Sequence, residues 1–259
     1  VMTAGAPVSP TVLRDFKMLL PESSEIHTPY GATEALPVTD ICDQELLKIY
    51  ENKQNLFQGI CVGYPLKDID LQIIAISDES IEFWENAQIM KTGEVGEIVV
   101  CGLNVSQEYL ANEKANLKSK IFERGSEKRW HRTGDLGRLD EKGRIWFYGR
   151  KSQRVVTKNT TLFTIPCESV INQHPMVSRS ALVGVKFQNE HVPVIYIEMV
   201  SGIKRTEKLR KELLDLSASN PVTKEIRIVL FLKKFPVDPR HNAKIFREKL
   251  AVWVQKQMR

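Results

Sequence analysis

The stretch DLGRLDEKGRIWFYGR, which begins at Asp135, constrains the fold more than any other part of the sequence. Two runs of alternating apolar and polar residues flank a turn at 140–143, and this pattern predicts a β-hairpin. Counting outward from the turn predicts that Thr133 lies opposite Arg150. The same count predicts Asp135 opposite Tyr148. Because neighbouring strands are about 4.8 Å apart, we expect Asp135 and Arg150 at the same end of one ribbon, presented to one ligand.

The remainder of the first 150 residues predicts a β-rich region with short helices. An amphipathic pattern at 12–20 predicts a helix, and β-branched runs at 70–77 and 96–102 predict strands. The polar segment 112–127 predicts helix and loop. We therefore expect an α/β fold in which a first domain, 1–150, contains a β-rich subdomain with the hairpin.

Residues 151–259 predict a second, small α+β domain, because helices and strands alternate there. The segment RKSQRVV, which turns from polar to apolar, is expected to link the two domains. The predicted helices lie near 166–173, 206–216 and 243–257, and the predicted strands are ALVGVKF, VPVIYIEMV and EIRIVLFL. A stripe of the last helix is expected to face the core, and it comprises Phe246, Leu250, Trp253, Val254 and Gln257.

The composition is typical of a soluble protein of the cytoplasm. Hydrophobic residues make up 42% of the chain, charged residues 27%, and the net charge is +5. No apolar run is long enough to cross a bilayer. The five histidines are dispersed, which argues against a zinc site. The cysteines are expected to be reduced and mostly buried, and they are Cys42, Cys61, Cys101 and Cys167.

Four separated stretches carry residues suited to ATP-dependent activation of a carboxylic acid. YGATE offers the Thr33 hydroxyl for a phosphate oxygen and the Glu34 carboxylate for Mg²⁺, which binds hard oxygen ligands. TGD offers Asp135, which can accept from both hydroxyls of a ribose, and GRKS offers Arg150. HNAKIFR offers Lys244, a movable positive charge for a phosphate and its attacking carboxylate.

Each of these residues also has a purely structural alternative. Glu34 could cap the start of a helix, and Asp135 could cap a turn. Arg150 could serve in a hairpin salt bridge, alone or together with ribose binding. Lys244 could be a solvated surface lysine. His131, beside TGD, is expected to be structural.

The order and spacing of the four stretches resemble those of the adenylate-forming superfamily, which includes acyl-CoA synthetases, luciferases and nonribosomal-peptide adenylation domains. The resemblance covers essentially the whole chain, but only the later part of a family member. It implies that 1–150 is part of the large AMP-binding domain and that 151–259 is the small, mobile C-terminal domain. It also implies ATP, AMP and Mg²⁺ as ligands.

The resemblance implies a role for each matching residue of the first domain. Thr33 would contact phosphate in catalysis, and Glu34 would hold Mg²⁺. Asp135 and Arg150 would bind the ribose hydroxyls. TAGAP is similar to the loop that lies against adenine. The further nucleotide-binding positions are Gly5, Ala6, Pro7, Tyr30, Gly31 and Ala32.

In the second domain the resemblance implies a hinge and a catalytic cation. Ser152, two residues after the ribose-binding arginine, would be the hinge about which the small domain rotates between half-reactions. PVDPRHNAKIFR is similar to the terminal motif that carries the catalytic lysine, here Lys244, with His241 as a candidate helper.

The sequence departs from the family pattern in three ways. No Gly/Ser/Thr-rich phosphate loop with its lysine is found, so the resemblance implies a fragment that is inactive by itself. The stretch VVTKNTTLFTIP has no glycine where family members usually have one near the CoA tunnel, which hinders close approach of a pantetheine arm. Ala243 stands where the family usually has glycine before the lysine.

YGATEALPV and DPRHNAKIFREKLAVW look most like one branch of the superfamily, the olefin β-lactone synthetases of bacterial hydrocarbon synthesis, which are often labelled fatty acid–CoA ligases. This resemblance implies adenylation of a β-hydroxy fatty acid, followed by attack of its own hydroxyl to give a β-lactone, AMP and pyrophosphate. It implies a cytoplasmic enzyme without stable membrane insertion, acting on a fatty acid beside partner enzymes of a hydrocarbon pathway.

Three other functions stay open at this point. A long- or medium-chain acyl-CoA ligase would share the first half-reaction. A non-catalytic docking module is consistent with the absent phosphate loop. Nucleic-acid binding is the least favoured, because the basic residues late in the chain are not interleaved with exposed aromatic residues.

Overall fold

The computed structural model describes residues 1–5, 8, 10–52, 55, 57–187, 190–239 and 244–257. The chain forms two compact units. The first comprises Val1–Asn55 and Ile60–Lys151, and the second comprises Leu56–Gly59 and Ser152–Arg259. In the ranges just given, no helix has the length and apolar character needed to span a bilayer.

The first unit is built on an eight-stranded sheet whose paired strands run antiparallel. Its helices are α1 (Pro10–Lys17), α2 (Asp43–Glu51) and α3 (Glu113–Ser119). Its strands are β1 (Tyr30–Ala32), β2 (Ala35–Asp40), β3 (Ile60–Pro65), β4 (Ile69–Ile74), β5 (Gly96–Gly102), β6 (Lys120–Phe122), β7 (Arg129–Leu139) and β8 (Ile145–Arg150). The strand order is β1-β2-β3-β8-β7-β5-β4, with β6 also paired to β7.

Strand β5 shows why the centre of this sheet could be predicted from sequence. It occupies 96–102 as predicted, between β4 and β7, and six of its seven residues are buried. A continuous apolar run is typical of such a strand, because both of its faces are covered. Ile98 and Val100 pack in one cluster, and Val99 packs in another that includes Trp130.

The β7–β8 hairpin forms, but both predicted pairs are wrong. Asp135, and not Thr133, lies opposite Arg150, and Tyr148 is therefore not the partner of Asp135. The expectation that Asp135 and Arg150 share one end of the ribbon is confirmed.

Two local features displace the register by one residue each. The Asp140 N–H donates to the Arg144 carbonyl at 2.9 Å, so the loop holds three residues, and Gly143 has a φ of 78°. A three-residue loop with glycine in the left-handed region is a common hairpin connection. A further shift occurs between Leu136 and Gly137. Such β-bulges are not visible in an alternating sequence pattern.

The segment predicted as helix and loop at 112–127 also contains a strand. Asn112 caps α3, since its side chain accepts from the Ala115 N–H at 3.1 Å. The chain then enters β6, in which Lys120 is only 2% exposed. A buried lysine breaks the apolar pattern by which a short strand is recognised, so β6 could not be predicted from the sequence.

The second unit is a three-stranded sheet with helices on both faces. Its helices are α4 (Thr164–Ile171), α5 (Glu207–Ser219) and α6 (Arg247–Gln257). Its strands are β9 (Val155–Val156), β10 (Thr161–Leu162), β11 (Val177–Phe187), β12 (Glu190–Met199) and β13 (Ile228–Leu232). The sheet order is β11-β12-β13, with β12 and β13 parallel, and β9 pairs with β10. The predicted α+β alternation is confirmed.

Successive residues of β11 point into two separate cores, as the two-residue period of a strand requires. Leu182 packs with Leu209 and Leu213 of α5. Val183 packs with Leu250 and other residues of α6.

Two predictions for this unit are wrong in detail. Helix α6 begins at Arg247, so Phe246 precedes it, and Trp253 is 40% exposed, although Leu250 and Val254 are buried as expected. The segment predicted as a linker is structured, because 151–153 form a 3₁₀ turn and Val155 is fully buried.

Candidate nucleotide site

The YGATE stretch forms a tight hairpin of β1 and β2 with Thr33 and Glu34 at its turn. Gly31 allows the two strands to approach, since a Cβ there would lie 2.4 Å from the Ala35 carbonyl oxygen. Thr33 is exposed, and Glu34 is half-buried. The alternative that Glu34 caps a helix start is wrong, because no helix begins there.

The TGD stretch lies within β7 and bends the strand so that Asp135 points to the β1–β2 hairpin. Gly134 has a φ of 69°, and the Asp135 N–H donates to Thr133 Oγ1 at 3.1 Å. The Tyr30 hydroxyl donates to Asp135 Oδ2 at 2.7 Å. Residues far apart in sequence therefore converge on one carboxylate.

Arg150 completes this group from the end of β8. Its Nη1 lies 3.0 Å from Asp135 Oδ1 and donates to the Thr133 carbonyl at 3.2 Å. The hairpin salt bridge offered as an alternative for Arg150 therefore exists, and the guanidinium remains half-exposed. The turn-cap alternative for Asp135 is wrong, because its carboxylate contacts Tyr30 and Arg150 instead of capping a turn.

The Asp135 carboxylate is held in a site with little water. Burial raises its pKa, while the Arg150 charge and the Tyr30 hydrogen bond oppose that rise without cancelling it. Oδ1 has no hydrogen-bond donor in suitable geometry within the described structure. It therefore retains acceptor capacity for a ligand hydroxyl.

An open pocket of about 340 Å³ is lined by residues from several of the stretches singled out in the first unit. Its wall includes Ala32 and Glu34 from YGATE, Thr133 and Gly134 from TGD, and Arg150. The pocket therefore joins three of the four stretches singled out in the sequence.

Glu34 is suited to hold a divalent cation. Partial burial alone raises its pKa, but the Tyr109 hydroxyl, which donates to Oε1 at 2.8 Å, a backbone hydrogen bond and the nearby Lys120 charge lower it on balance. The carboxylate is thus ionised at neutral pH. Across the residues that the structure describes, no group of three acidic, His or Cys side chains is arranged so that it could hold a metal ion by itself. Mg²⁺ commonly binds through one carboxylate together with substrate phosphates and water, so Glu34 fits it.

One wall of the pocket carries a charged network that was not predicted from the sequence. Glu97 is 1% exposed and accepts from Arg132 Nη2 at 2.6 Å and from Lys151 Nζ at 2.9 Å. Both cations also donate to the Ser77 carbonyl. These bonds join β5, β7 and Lys151, the residue after Arg150, and so they hold the backbone next to Arg150 in position.

A second unpredicted group lies beneath Glu34. Lys120 and His131 are cross-strand neighbours on β6 and β7, and each is 2% exposed. Lys120 Nζ donates to the carbonyl and the hydroxyl of Ser106, and it lies 5.5 Å from the ring centroid of Tyr109. Burial lowers the pKa of Lys120 to about 8. Only the β6–β7 pairing brings these residues together.

The other predicted site residues are described less fully. Gly5 is exposed with a φ of 100°, whereas Ala6 and Pro7 lie outside the described residues. His241 and Ala243 also lie outside them. Ser152 and Lys244 belong to the second unit, and both are exposed.

The two described histidines of the first unit are expected to change its stability in opposite directions with pH. Burial, and then Lys120, lower the pKa of His131 to about 4. The unfolded chain therefore binds this proton first, and stability falls as the pH drops from about 6.5 towards 4, by about 2 kcal/mol at pH 5. Asp40 raises the pKa of His27 through a hydrogen bond at 2.5 Å. The stabilising contribution of His27 is therefore fully present below the ordinary histidine pKa and is lost as the pH rises through the raised pKa of the folded state.

Urea unfolding at about pH 5 and pH 7 would measure both effects. His131→Asn should flatten the pH dependence, and His27→Gln should steepen it on the acid side. An unchanged pH dependence in His131→Asn would show that the imidazole is not held neutral by its surroundings.

Comparisons with known proteins agree with this geometry. Residues 1–110 match the family model of the AMP-binding enzymes. The chain is 41% identical over 260 residues to an olefin beta-lactone synthetase of Xanthomonas campestris pv. campestris, covering 98% of this chain and 47% of that protein. It is 40% identical over 261 residues to an olefin beta-lactone synthetase of Stenotrophomonas maltophilia, covering 100% of this chain and 47% of that protein.

The fold has counterparts among solved structures. The O-succinylbenzoate coenzyme A synthetase of Bacillus subtilis in complex with ATP and magnesium superposes with a TM-score of 0.71 at 22% identity, covering 96% of this chain and 45% of that one. The fold is that of adenylate-forming enzymes. The chain belongs to the AMP-binding enzyme family, and it spans about half the length of the relatives it matches.

Proposed function

We propose that the chain is the later part of an enzyme that adenylates a fatty acid carboxylate with ATP. The observation that supports this proposal is that Glu34 and Arg150 line one pocket together with Gly134, the neighbour of Asp135, while Asp135 itself contacts Arg150. In the reaction, a carboxylate oxygen attacks the α-phosphorus of ATP, and the bond to pyrophosphate breaks. The intact enzyme would also contain the family's phosphate loop, so the chain alone is expected to be inactive.

The nucleotide would be bound on the β7–β8 ribbon. Asp135 accepts from the ribose hydroxyls through Oδ1, while Tyr30 and Arg150 hold the carboxylate in place. Thr33, exposed at the β1–β2 turn, donates to a phosphate oxygen. Gly31 and Ala32 bring this turn to the pocket, and the remaining residues assigned to the adenine side are Gly5, Ala6 and Pro7.

Glu34 would hold Mg²⁺, which neutralises phosphate charge when bound. The Tyr109 hydroxyl donates to one carboxylate oxygen and so orients the group. A carboxylate held in this way loses little freedom on coordination.

In the second unit, Lys244 would supply a positive charge to the developing adenylate, and Ser152 would be the hinge. The exposure of both residues supports these roles. The boundary between the compact units falls between Lys151 and Ser152, which also supports the hinge.

For the second half-reaction we favour lactone formation. The hydroxyl oxygen of a β-hydroxy acid attacks the activated carbonyl carbon, the bond to AMP breaks, and the hydroxyl proton passes to solvent. The 40 and 41% identity to olefin beta-lactone synthetases supports this proposal, as does the absence of glycine from VVTKNTTLFTIP. An acyl-CoA ligase is the alternative, and the 28% identity to a coumarate–CoA ligase of Narcissus pseudonarcissus favours it less.

The test is an assay of the intact enzyme with ATP, Mg²⁺ and a long-chain 3-hydroxy acid, with and without CoA. We expect AMP and a β-lactone in both cases. The same acid without its hydroxyl is the control, because it can be adenylated but cannot form the lactone. AMP release that requires CoA and yields a thioester would make the protein an acyl-CoA ligase.

We also propose that the enzyme is located in the cytoplasm and acts beside partner enzymes of a hydrocarbon pathway. The four free cysteines, three of them buried, are consistent with a reducing compartment.

A further inference from the structure

His131, on the wall of the candidate nucleotide pocket, carries one buried ring nitrogen without a hydrogen-bond partner within the described structure. It lines that pocket and is 2% exposed. Its Nδ1 atom is buried and has no partner within the described structure. Buried polar atoms are nearly always hydrogen-bonded, so an unpartnered nitrogen of a pocket residue is suited to accept a hydrogen bond from a ligand.

The surroundings of the ring determine which kind of partner Nδ1 can take. The Ser119 backbone acts on the ring and partly offsets the lowering of its pKa, and a neutral imidazole with its proton on Nε2 offers a lone pair at Nδ1. Lys120, the cross-strand neighbour of His131, is itself buried and held by Ser106. A second positive charge on the imidazole is unfavourable beside this ammonium, so the ring is a neutral acceptor at physiological pH.

The neighbouring groups exclude an anion at this atom. Glu34 lines the same pocket, and a neutral imidazole nitrogen that carries a lone pair repels phosphate or carboxylate oxygens. A hydroxyl group suits the position, because it donates to Nδ1 without carrying charge.

We propose that His131 Nδ1 accepts a hydrogen bond from a hydroxyl group of the bound ligand. This inference rests on the proposed function for its two candidate ligands, each of which carries such a group. One source is the ribose of the nucleotide. The other is the hydroxyl of a 3-hydroxy acid.

Binding preferences measured by calorimetry on the intact enzyme test the inference. AMP is compared with its 2′-deoxy and 3′-deoxy analogues, and a long-chain 3-hydroxy acid is compared with the same acid lacking the hydroxyl. His131→Leu removes the acceptor, and His131→Asn places an amide oxygen near the position of Nδ1. Lys118→Met, on the same pocket wall, is the matched control.

We expect His131→Leu to reduce one of the two preferences for the hydroxyl-bearing ligand by about tenfold, His131→Asn to restore part of it, and Lys118→Met to leave both ratios unchanged. A loss confined to the acid pair identifies the substrate hydroxyl, and a loss confined to the AMP series identifies the ribose. Unchanged ratios in both leucine and asparagine variants, or no preference in the wild type, would overturn the inference.

Pyrophosphate exchange on the same preparations separates this inference from the proposed function. If exchange is absent but the binding preference depends on His131, the adenylation proposal fails and the hydroxyl acceptor stands. If exchange is normal but the preferences do not depend on His131, the acceptor fails and adenylation stands.

Discussion

Lys244→Ala is expected to abolish AMP formation by the intact enzyme while nucleotide binding is spared. The lysine side chain is exposed, but its backbone is fixed. The Asp238 N–H donates to the Lys244 carbonyl at 3.0 Å, and Ile245, the next residue, is buried and bridges to Val237. An ammonium on a fixed backbone can approach a developing charge at little cost, and loss of one such group typically slows the chemical step by about 10²–10³-fold.

Pyrophosphate exchange and AMP release would measure the effect, with nucleotide affinity followed separately. Lys249→Ala is the matched control, since this exposed lysine lies 4.7 Å from the Phe246 ring, on the same part of the chain, and has no assigned role. Full turnover by Lys244→Ala would contradict the catalytic role and would identify Lys244 as a solvated surface lysine.

Arg247→Met is expected to destabilise the second unit by about 3–5 kcal/mol at neutral pH. Arg247 Nη2 donates to both carboxylate oxygens of Glu168, at 2.6 and 2.8 Å, and both side chains are largely buried. The Leu182 N–H donates to the same carboxylate at 2.8 Å. Burial raises the pKa of Glu168, and Arg247 opposes that rise. Without the arginine, the buried Glu168 carboxylate has no compensating positive charge, and the folded state is destabilised.

Urea unfolding, with amide exchange followed in β11, would measure this loss. The double variant Glu168→Gln/Arg247→Met should be less destabilised than Arg247→Met, since it carries no buried charge. Lys208→Met is the surface control, because its ion pair with Glu212 is exposed and worth about 1 kcal/mol or less. Equal stability losses in Arg247→Met and Lys208→Met would contradict the assignment.

The same ion pair bears on the position of Lys244. Arg247 is the first residue of α6, and its bonds to Glu168 tie the start of that helix to α4 and, through Leu182, to β11. The loss of stability should therefore be accompanied by a loss of order around Lys244.

The chemistry of the site could be recognised from sequence because it resides in short stretches. In YGATE and TGD the backbone conformation and the functional group lie within a few residues of each other, as the Gly31 contact and the Gly134 conformation show. Strand β5 was likewise predicted to the residue, since a continuous apolar run reflects burial on both faces.

The partners of these residues could not be predicted in this way. Tyr30 meets Asp135 across 105 positions of the chain, and Tyr109 meets Glu34 across 75. Neither contact leaves a periodic signal, because each depends on which strands become neighbours. Trp253 illustrates the converse, since helical spacing predicted it in the core and the tertiary structure leaves it 40% exposed.

The sequence by itself determined the two-part α/β and α+β organisation and singled out the short stretches that we propose bind a nucleotide, because turn chemistry and apolar periodicity act over a few residues. Tertiary structure alone decided the register that pairs Asp135 with Arg150, the buried β6 strand, and the group of Tyr109, Lys120 and His131 beneath Glu34. Loop length, a bulge and strand order fixed these contacts, and each arises from interactions between segments that lie far apart in the chain.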